Sequence, residues 1–572
     1  MDKGDLGIIN GKVITVDPRF NVKQAIAVKN GRIAAVGANE EIKALLGPGV
    51  RVLDLKGRTI LPGINESHMH GAFFGGTRPP LALDLTFPNV KTIGEMVAVL
   101  RDKVKTVKPG EWIRGFGWDQ GSIEECKNDP NRLPRKYDLD PVSPDHPVVF
   151  TDFSAHTLLA NSKALKLAGV TKDTPDPEGG KIERDPATGE PTGIFLELSA
   201  QALMHKVVPL YTKAQKREAV LSVLKHLKAN GVTSFTEAAL GPGGDAFVGG
   251  VLGTETIGVY KDLHDEGALT ARVNILLLMG EYGAVCYEDV KKGLEAYVLP
   301  SGLDPEWLRM PGLKVFADGI PLTKTSWMHE EYVGGGRGTL AIPGETDEKK
   351  YNELLKIIAY AHGRGLQVGV HATGDRAIDA AVDGFIKAMQ GSPRSDPRHY
   401  VIHGDFITPA CARRAAQYRI GVAMQPVIQA MIADFEVHVV GPERAAYEWP
   451  MRLCLDEGIN LTANSDAPVT YPNWREGVQC AVLRESKVSG QVSGPEQRVS
   501  VAEAIRMYTI NGAWQDHMEN IKGSIEPGKL ADFCIIGEDI LSVDPRRIGQ
   551  IPVLMTIAGG KVVFDESGGA FD

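Results

Sequence analysis

The feature that most constrains this 572-residue chain is an alternation along its middle. Short apolar runs rich in β-branched residues take turns with longer amphipathic stretches. The runs include Val148-Val149-Phe150-Thr151, Gly231-Val232-Thr233-Ser234-Phe235, Leu313-Lys314-Val315-Phe316-Ala317, Gln367-Val368-Gly369-Val370-His371 and Tyr400-Val401-Ile402-His403. Helices are predicted between several of them, at Lys213–Ala229 and 353–363 among others. A strand covered on both faces reads as an unbroken apolar run, and strand–helix repetition builds a parallel sheet. The sheet is either a barrel or doubly wound.

The two ends read differently, as short strands divided by turn residues. Asn10-Gly11 predicts a hairpin, and residues 25–37 repeat the pattern around Asn30-Gly31. Residues 531–536 and 553–564 do so again at the far end. Neither end alone can bury a sheet face well. The economical solution is a composite β-sandwich of residues 1–60 and 518–572, with 61–517 inserted between them. Residues of about 75–215 are irregular, rich in Pro and Gly, and too long for a loop. They are expected to form a subdomain inserted near the mouth of the sheet.

Several classes are excluded. Charged residues at 24% and hydrophobic ones at 43% fit a globular protein with a large core, not a disordered chain. Lys plus Arg number 63 against 72 Asp plus Glu, and a net charge of -9 argues against a nucleic-acid partner. Met1-Asp2-Lys3-Gly4-Asp5-Leu6 lacks a basic start before an apolar segment, so no signal peptide is expected. No run of about 18 apolar residues occurs, so no membrane span is expected. The six cysteines form no C-x-x-C pair and are expected to be buried thiols of a cytoplasmic protein.

Chemistry gathers where strands end. His68-Met69-His70 places two imidazoles at i and i+2, on one face of a strand. His371 and His403 each close an apolar run, Asp466 follows Leu461-Thr462-Ala463-Asn464-Ser465, and Lys314 lies inside an apolar run. A lysine there is expensive to bury unless paired or modified. Singly, each has an ordinary explanation: a core histidine, a helix cap, a lysine reaching to solvent. Together they recur in the order expected of one barrel, whose strand ends converge on one rim. Imidazole plus carboxylate suits zinc, and also iron, manganese or nickel.

The order His-x-His, Lys, His, His, Asp, framed by terminal sandwich strands, resembles the amidohydrolase superfamily. So do Leu61-Pro62-Gly63 before Ser67-His68-Met69-His70, Lys314 to Gly319, His371-Ala372-Thr373-Gly374-Asp375-Arg376-Ala377 and Ser465-Asp466-Ala467-Pro468-Val469. These motifs are similar to a branch holding YtcJ-like proteins and N-substituted formamide deformylase. Trp112 to Asp119, His156 to Ser162, and Gly523 to Phe533 resemble the same branch, so the likeness spans almost the whole chain. It departs at two places: Glu66 stands where Asp is commoner, and Asn65 where an apolar residue is usual.

The resemblance implies an α/β fold, a (β/α)8 TIM-like barrel with a composite β-sandwich from the N- and C-terminal segments. It implies a divalent metal, zinc by preference, as one or two ions held by His68, His70, Lys314, His371, His403 and Asp466. Lys314 would be carboxylated to a carbamate bridging two ions; the rival is a single ion beside an unmodified Lys314 paired with an acid such as Asp318. Metal-activated water would attack an amide, Asp466 would shuttle the proton, and His371 or His403 would polarise the carbonyl. Trp118, Asp119, His156, Phe73 and Trp327 are the candidate substrate contacts. The expected reaction is hydrolysis of a non-peptide C–N bond, in a linear N-substituted amide such as a formamide. A cyclic amide, carbamate or ester substrate is the alternative, and a catalytically silent barrel the third reading. The expected partners are a small amide and a second copy of the chain in a homodimer, with no membrane. The glycine-rich stretches 241–245 and 334–338 lack the pattern of a phosphate cradle and are expected to be loops.

Overall fold

The computed structural model describes residues 4–129, 132–177, 180–245, 247–280 and 285–571. They divide into two compact units: Met1–His70, Leu224–Leu240 and Tyr260–Asp572 form the first, Gly71–Val223 and Gly241–Val259 the second.

The first unit contains an eight-stranded parallel sheet: β1 (Ile64–Met69), β2 (Val232–Leu240), β3 (Arg272–Leu277), β4 (Leu308–Phe316), β5 (Gln367–Ala372), β6 (Tyr400–His403), β7 (Gly421–Met424) and β8 (Leu461–Ala463). Each strand pairs with its neighbour in sequence. The end strands meet through single bonds: Ser67 Oγ donates to Ala463 O at 3.1 Å, and His70 N to Ala467 O at 2.7 Å. The sheet is therefore a (β/α)8 barrel.

Sequence logic explains its parts. α1 (Asp347–Gly363) follows Thr346, whose hydroxyl accepts the Lys349 N–H at 3.2 Å. It buries Leu354, Ile357, Ile358 and Ala361, a helical stripe, and packs on α2 (Asp375–Gly391). At the N-terminal strand ends, a polar plug seals the barrel. Asp516 accepts from Asn65 Nδ2 at 2.8 Å and Lys522 Nζ at 2.6 Å, and Gln515 Nε2 donates to Ser67 O at 2.9 Å. This gives the unusual Asn65 a reason: an apolar residue there would leave Asp516 with one donor fewer.

The terminal segments form two further sheets in this unit. Arg32–Gly37, Ala25–Lys29, Gly4–Ile9 and Leu46–Asp54 make one, in that order. Lys561–Asp565, Val553–Ala558, Phe533–Ile536, Thr59–Pro62, Lys12–Ile14 and Val22–Lys23 make the other. Leu6, Ile8, Ile26 and Leu53 of the first pack against Val13, Ile60, Phe533 and Ile557 of the second in one core. Asn30-Gly31 does make a tight hairpin turn, with φ of 51° and 71°. Asn10-Gly11 does not: the strand before it belongs to one sheet and the strand after it to the other. Gly11 N and Lys12 N bond Gln24 O and Arg58 O, so the dipeptide serves a crossing between layers.

The second unit has its own six-stranded sheet: Lys181–Arg184, Pro191–Leu196, Thr157–Ala160, Val148–Asp152, Ile113–Trp118 and Leu83–Asp84. The apolar run 148–151, grouped above with the candidate barrel strands, belongs here. Apolar residues line both faces of this sheet, Phe150 and Leu159 in one cluster and Phe195 and Leu158 in another. That is why its sequence imitates a barrel strand. The glycine-rich 241–245 stretch also falls in this unit. All six cysteines are free thiols. Among the described residues no helix is long and apolar enough to cross a membrane.

Candidate metal centre

The C-terminal ends of five barrel strands carry the chemistry. β1 is buried along its full length, and it ends in His68 and Met69, with His70 next. Asp466 follows β8 by three residues, where the chain turns back toward β1 and Asp466 N meets His68 O at 3.3 Å. Asp466 Oδ1 lies 3.3 Å from His68 Nε2 and 3.7 Å from His70 Nε2. The same oxygen is buried and accepts no hydrogen bond. These three residues are the described group whose ligand atoms lie within 4.8 Å of one another. Ligands about 2.0–2.1 Å from a tetrahedral zinc stand roughly 3.3 Å apart, so this spacing fits a cation at their centre.

The electrostatics agree. Burial pulls the His68 pKa well below its usual range, with the Lys314 charge adding to it. Burial takes His70 down to about 3 and His403 well below its usual range. All three rings are neutral, the form that binds metal. Burial also lowers Lys314 to about 7, against the attraction of Asp466. Lys314 Nζ lies 3.5 Å from His68 Nε2 and 4.6 Å from the centre of the Phe316 ring. A divalent ion fits a site of neutral imidazoles and a carboxylate without a bound proton to displace from the rings.

His371 and His403 stand on adjacent strands with ring centres 4.4 Å apart, and His403 is 6.0 Å from His68. Two backbone outliers fall in this cluster: His403 has φ of 78° and Asp466 φ of 52°. Such left-handed conformations cost a non-glycine residue about 1–3 kcal/mol, and they gather at functional sites.

Surrounding groups hold the cluster. Glu66 Oε1 accepts the Ser465 amide and hydroxyl, the latter at 2.9 Å, tying β1 to the loop that carries Asp466. Burial raises its pKa to about 8 despite those bonds. His371 Nε2 donates to Gly319 O at 3.0 Å. That bond ties the ring to the loop after β4. Asp318 accepts the amides of Trp327 at 2.9 Å, Thr373 at 3.1 Å and Gly374 at 2.9 Å. It orders the loops after β4 and β5, so the ion pair expected with an unmodified Lys314 is replaced by backbone bonds.

Of the expected substrate contacts, Trp327 belongs to the same unit as the metal cluster. Trp327 is buried, stacks under Arg376 at 4.0 Å and donates Nε1 to Asp347 at 3.3 Å. It lines a cleft with His329, Tyr351 and Arg414. Trp118, Asp119, His156 and Phe73 belong to the second unit. Trp118 is packed in that unit's core. Asp119 caps a turn through Gly121 N at 2.8 Å, and Phe73 meets Phe116 edge-on at 5.4 Å. His156 Nδ1 pairs with Glu197 at 2.7 Å; burial lowers its pKa, and Glu197 outweighs this and leaves it raised.

Sequence reasoning missed Gln425 and Asn464. Gln425 directly follows β7, and its Oε1 lies 2.9 Å from His403 Nδ1. Its position at the end of the short run Val422-Ala423-Met424 was the available signal, and a neutral amide at a strand end drew no attention.

Comparison with known proteins adds to this geometry. A model described as the amidohydrolase family matches residues 51–564. YtcJ of Bacillus subtilis (strain 168) is 28% identical over 564 residues, covering 97% of this chain and 99% of its own. N-substituted formamide deformylase of Arthrobacter pascens is 29% identical over 575 residues, covering 99% of each. The crystal structure of an uncharacterized metal-dependent hydrolase from Pyrococcus horikoshii OT3 matches with a TM-score of 0.73 at 23% identity, covering 95% of this chain and 99% of that one.

Proposed function

This chain belongs to the amidohydrolase family, and we propose that the bond it cleaves is the C–N bond of a linear N-substituted amide, a formamide being the first to test. Membership makes it a hydrolase of carbon–nitrogen bonds other than peptide bonds. The observation that carries the metal-dependent mechanism is the buried trio His68, His70 and Asp466, spaced as ligands, with Asp466 Oδ1 accepting no hydrogen bond. The end-to-end likeness to a formamide deformylase supports the substrate class.

His68, His70 and Asp466 would hold the ion, with His371 and His403 as the nearest further nitrogens. The donor set suits zinc. When bound, a divalent cation supplies water of lowered pKa and polarises the scissile carbonyl. Asp466 takes the proton of the attacking water and returns it to the departing nitrogen, so the amine leaves neutral. Glu66 and Ser465 hold the loop that aims Asp466. Lys314, buried and about half uncharged at neutral pH, is the amine that would take up carbon dioxide: an N–C bond forms at Nζ and one proton leaves. As a carbamate, Lys314 would add a carboxylate to the groups that hold the metal.

Chelation followed by stepwise return of zinc tests the reading, with N-alkyl and N-aryl formamides, lactams, carbamates and esters as substrates. Formamide hydrolysis is expected to disappear and return with the metal. Full activity in the metal-free protein would overturn the mechanism, and faster turnover of lactams or esters would overturn the substrate class. Carbon-13 bicarbonate gives an NMR signal from a lysine carbamate, which Lys314→Met must abolish.

A further inference from the structure

We infer that Gln425, anchored by Asn464, fixes His403 as the tautomer protonated on Nδ1 and leaves its Nε2 as the bare nitrogen offered to the site. This deepens the proposed function, since it assigns a positioning residue to the same centre.

The orientation of each amide follows from groups that only accept. Asn464 Nδ2 donates to Met424 O at 3.2 Å, so its Oδ1 is the acceptor end. Gln425 Nε2 donates to that oxygen at 3.0 Å and to Ala423 O at 3.1 Å. Ala423 O is a carbonyl and offers no proton, so the nitrogen of Gln425 must face it. Its Oε1 therefore faces His403 Nδ1, at 2.9 Å. An amide oxygen accepts only, and the proton must sit on Nδ1. Two backbone carbonyls, of Ala423 and Met424, thus set the state of an imidazole two and three hydrogen bonds away.

Burial makes the setting hold. Gln425 and Asn464 are both fully buried, and His403 is 7% exposed. Flipping Gln425 would aim an N–H pair at the His403 N–H and turn an oxygen toward Ala423 O. Both amides are shut off from solvent, and an unmet buried polar group costs about 1–3 kcal/mol. The backbone contributes as well. Gln425 holds the position before Pro426, at the start of the helix Pro426–Val440, and proline supplies the helical φ without needing a hydrogen-bond partner for nitrogen.

The consequence is a division of labour between neighbours. His371 commits Nε2–H to Gly319 O, and His403 commits Nδ1–H to Gln425. His403 therefore has no N–H left for a substrate carbonyl and acts through its bare Nε2. Groups behind a metal-binding histidine typically change affinity or activity about 10–100-fold when removed.

The test is a two-bond nitrogen–proton NMR spectrum of the full-length protein as purified and again after metal removal, with ring-15N histidine. The His403 signals are assigned by their loss in His403→Asn. We expect a protonated Nδ1 and a bare Nε2 in both samples. A protonated Nε2 overturns the inference, whatever the enzyme hydrolyses; conversely, failure to hydrolyse amides with the expected tautomer would sink the functional reading alone. Gln425→Leu is expected to mix the tautomers and weaken zinc about 10–100-fold in a competition titration. Gln425→Glu keeps an acceptor oxygen and is expected to keep the tautomer. Unchanged tautomer and zinc affinity in Gln425→Leu would contradict the role. Should that variant not fold, the spectrum of the parent protein decides by itself.

Discussion

At the scale of residues, the site rests on a few buried polar groups whose partners can be named. Asp466 is central, because its Oδ1 stands between His68 and His70. Asp466→Asn keeps the shape and removes the proton acceptor, so kcat should fall by about 10²–10⁴ with an unchanged circular dichroism spectrum. Near-native turnover would exclude Asp466 as the shuttle. The ligand types were legible because a histidine, lysine or aspartate in an apolar strand is conspicuous. Their supports were not. Gln425 is an ordinary amide until Ala423 O and Asn464 orient it, and Asn65 looks misplaced until Asp516 appears beside it.

At the scale of elements, the barrel strands with ligands were readable, and β3 and β7 were not. β3 begins with Arg272 and contains Asn274, which break its apolar run, and β7 is four residues long. Arg272 reaches Asp532 beside the sandwich strand Phe533–Ile536, at 2.7 Å and 2.9 Å, and both are almost fully buried. Arg272→Leu would strand the carboxylate of Asp532 and should destabilise the unit by about 3–5 kcal/mol, seen as a lower melting temperature. A second contact joins α1 to the start of β6. His362 Nδ1 and His399 Nε2 lie 2.8 Å apart, His362 Nε2 donates to Ser392 O, and His399 Nδ1 accepts Val368 N–H. Burial holds His399 at about 3, against 6.5 for a free ring. The unfolded chain then binds the proton first. The contribution of His399 is whole above pH 6.5 and is lost as pH falls toward 3, by about 1.4 kcal/mol per unit. Urea midpoints measured from pH 7 to 4.5 should fall, and His399→Gln should remove its share of that fall, leaving the shares of His68, His70 and His403.

At the scale of the whole chain, the α/β alternation gave a parallel sheet and the strand-rich ends a sandwich, since both follow from local periodicity, while the choice of a barrel over a doubly wound sheet came from the family resemblance. The second unit was harder to read, because a sheet covered on both faces writes the same apolar runs as a barrel. A ligand that binds only the folded chain must stabilise it. Zinc at about 100 times its Kd should therefore add roughly 2.7 kcal/mol, raising the melting temperature of the parent protein and not of a His68→Ala, His70→Ala double variant. The most direct measurement of the central claim is anomalous X-ray diffraction at the zinc edge from crystals grown with the metal. The account predicts a peak bonded to His68 Nε2, His70 Nε2 and the Asp466 carboxylate. Anomalous density elsewhere, with those three side chains turned away from one another, would contradict it.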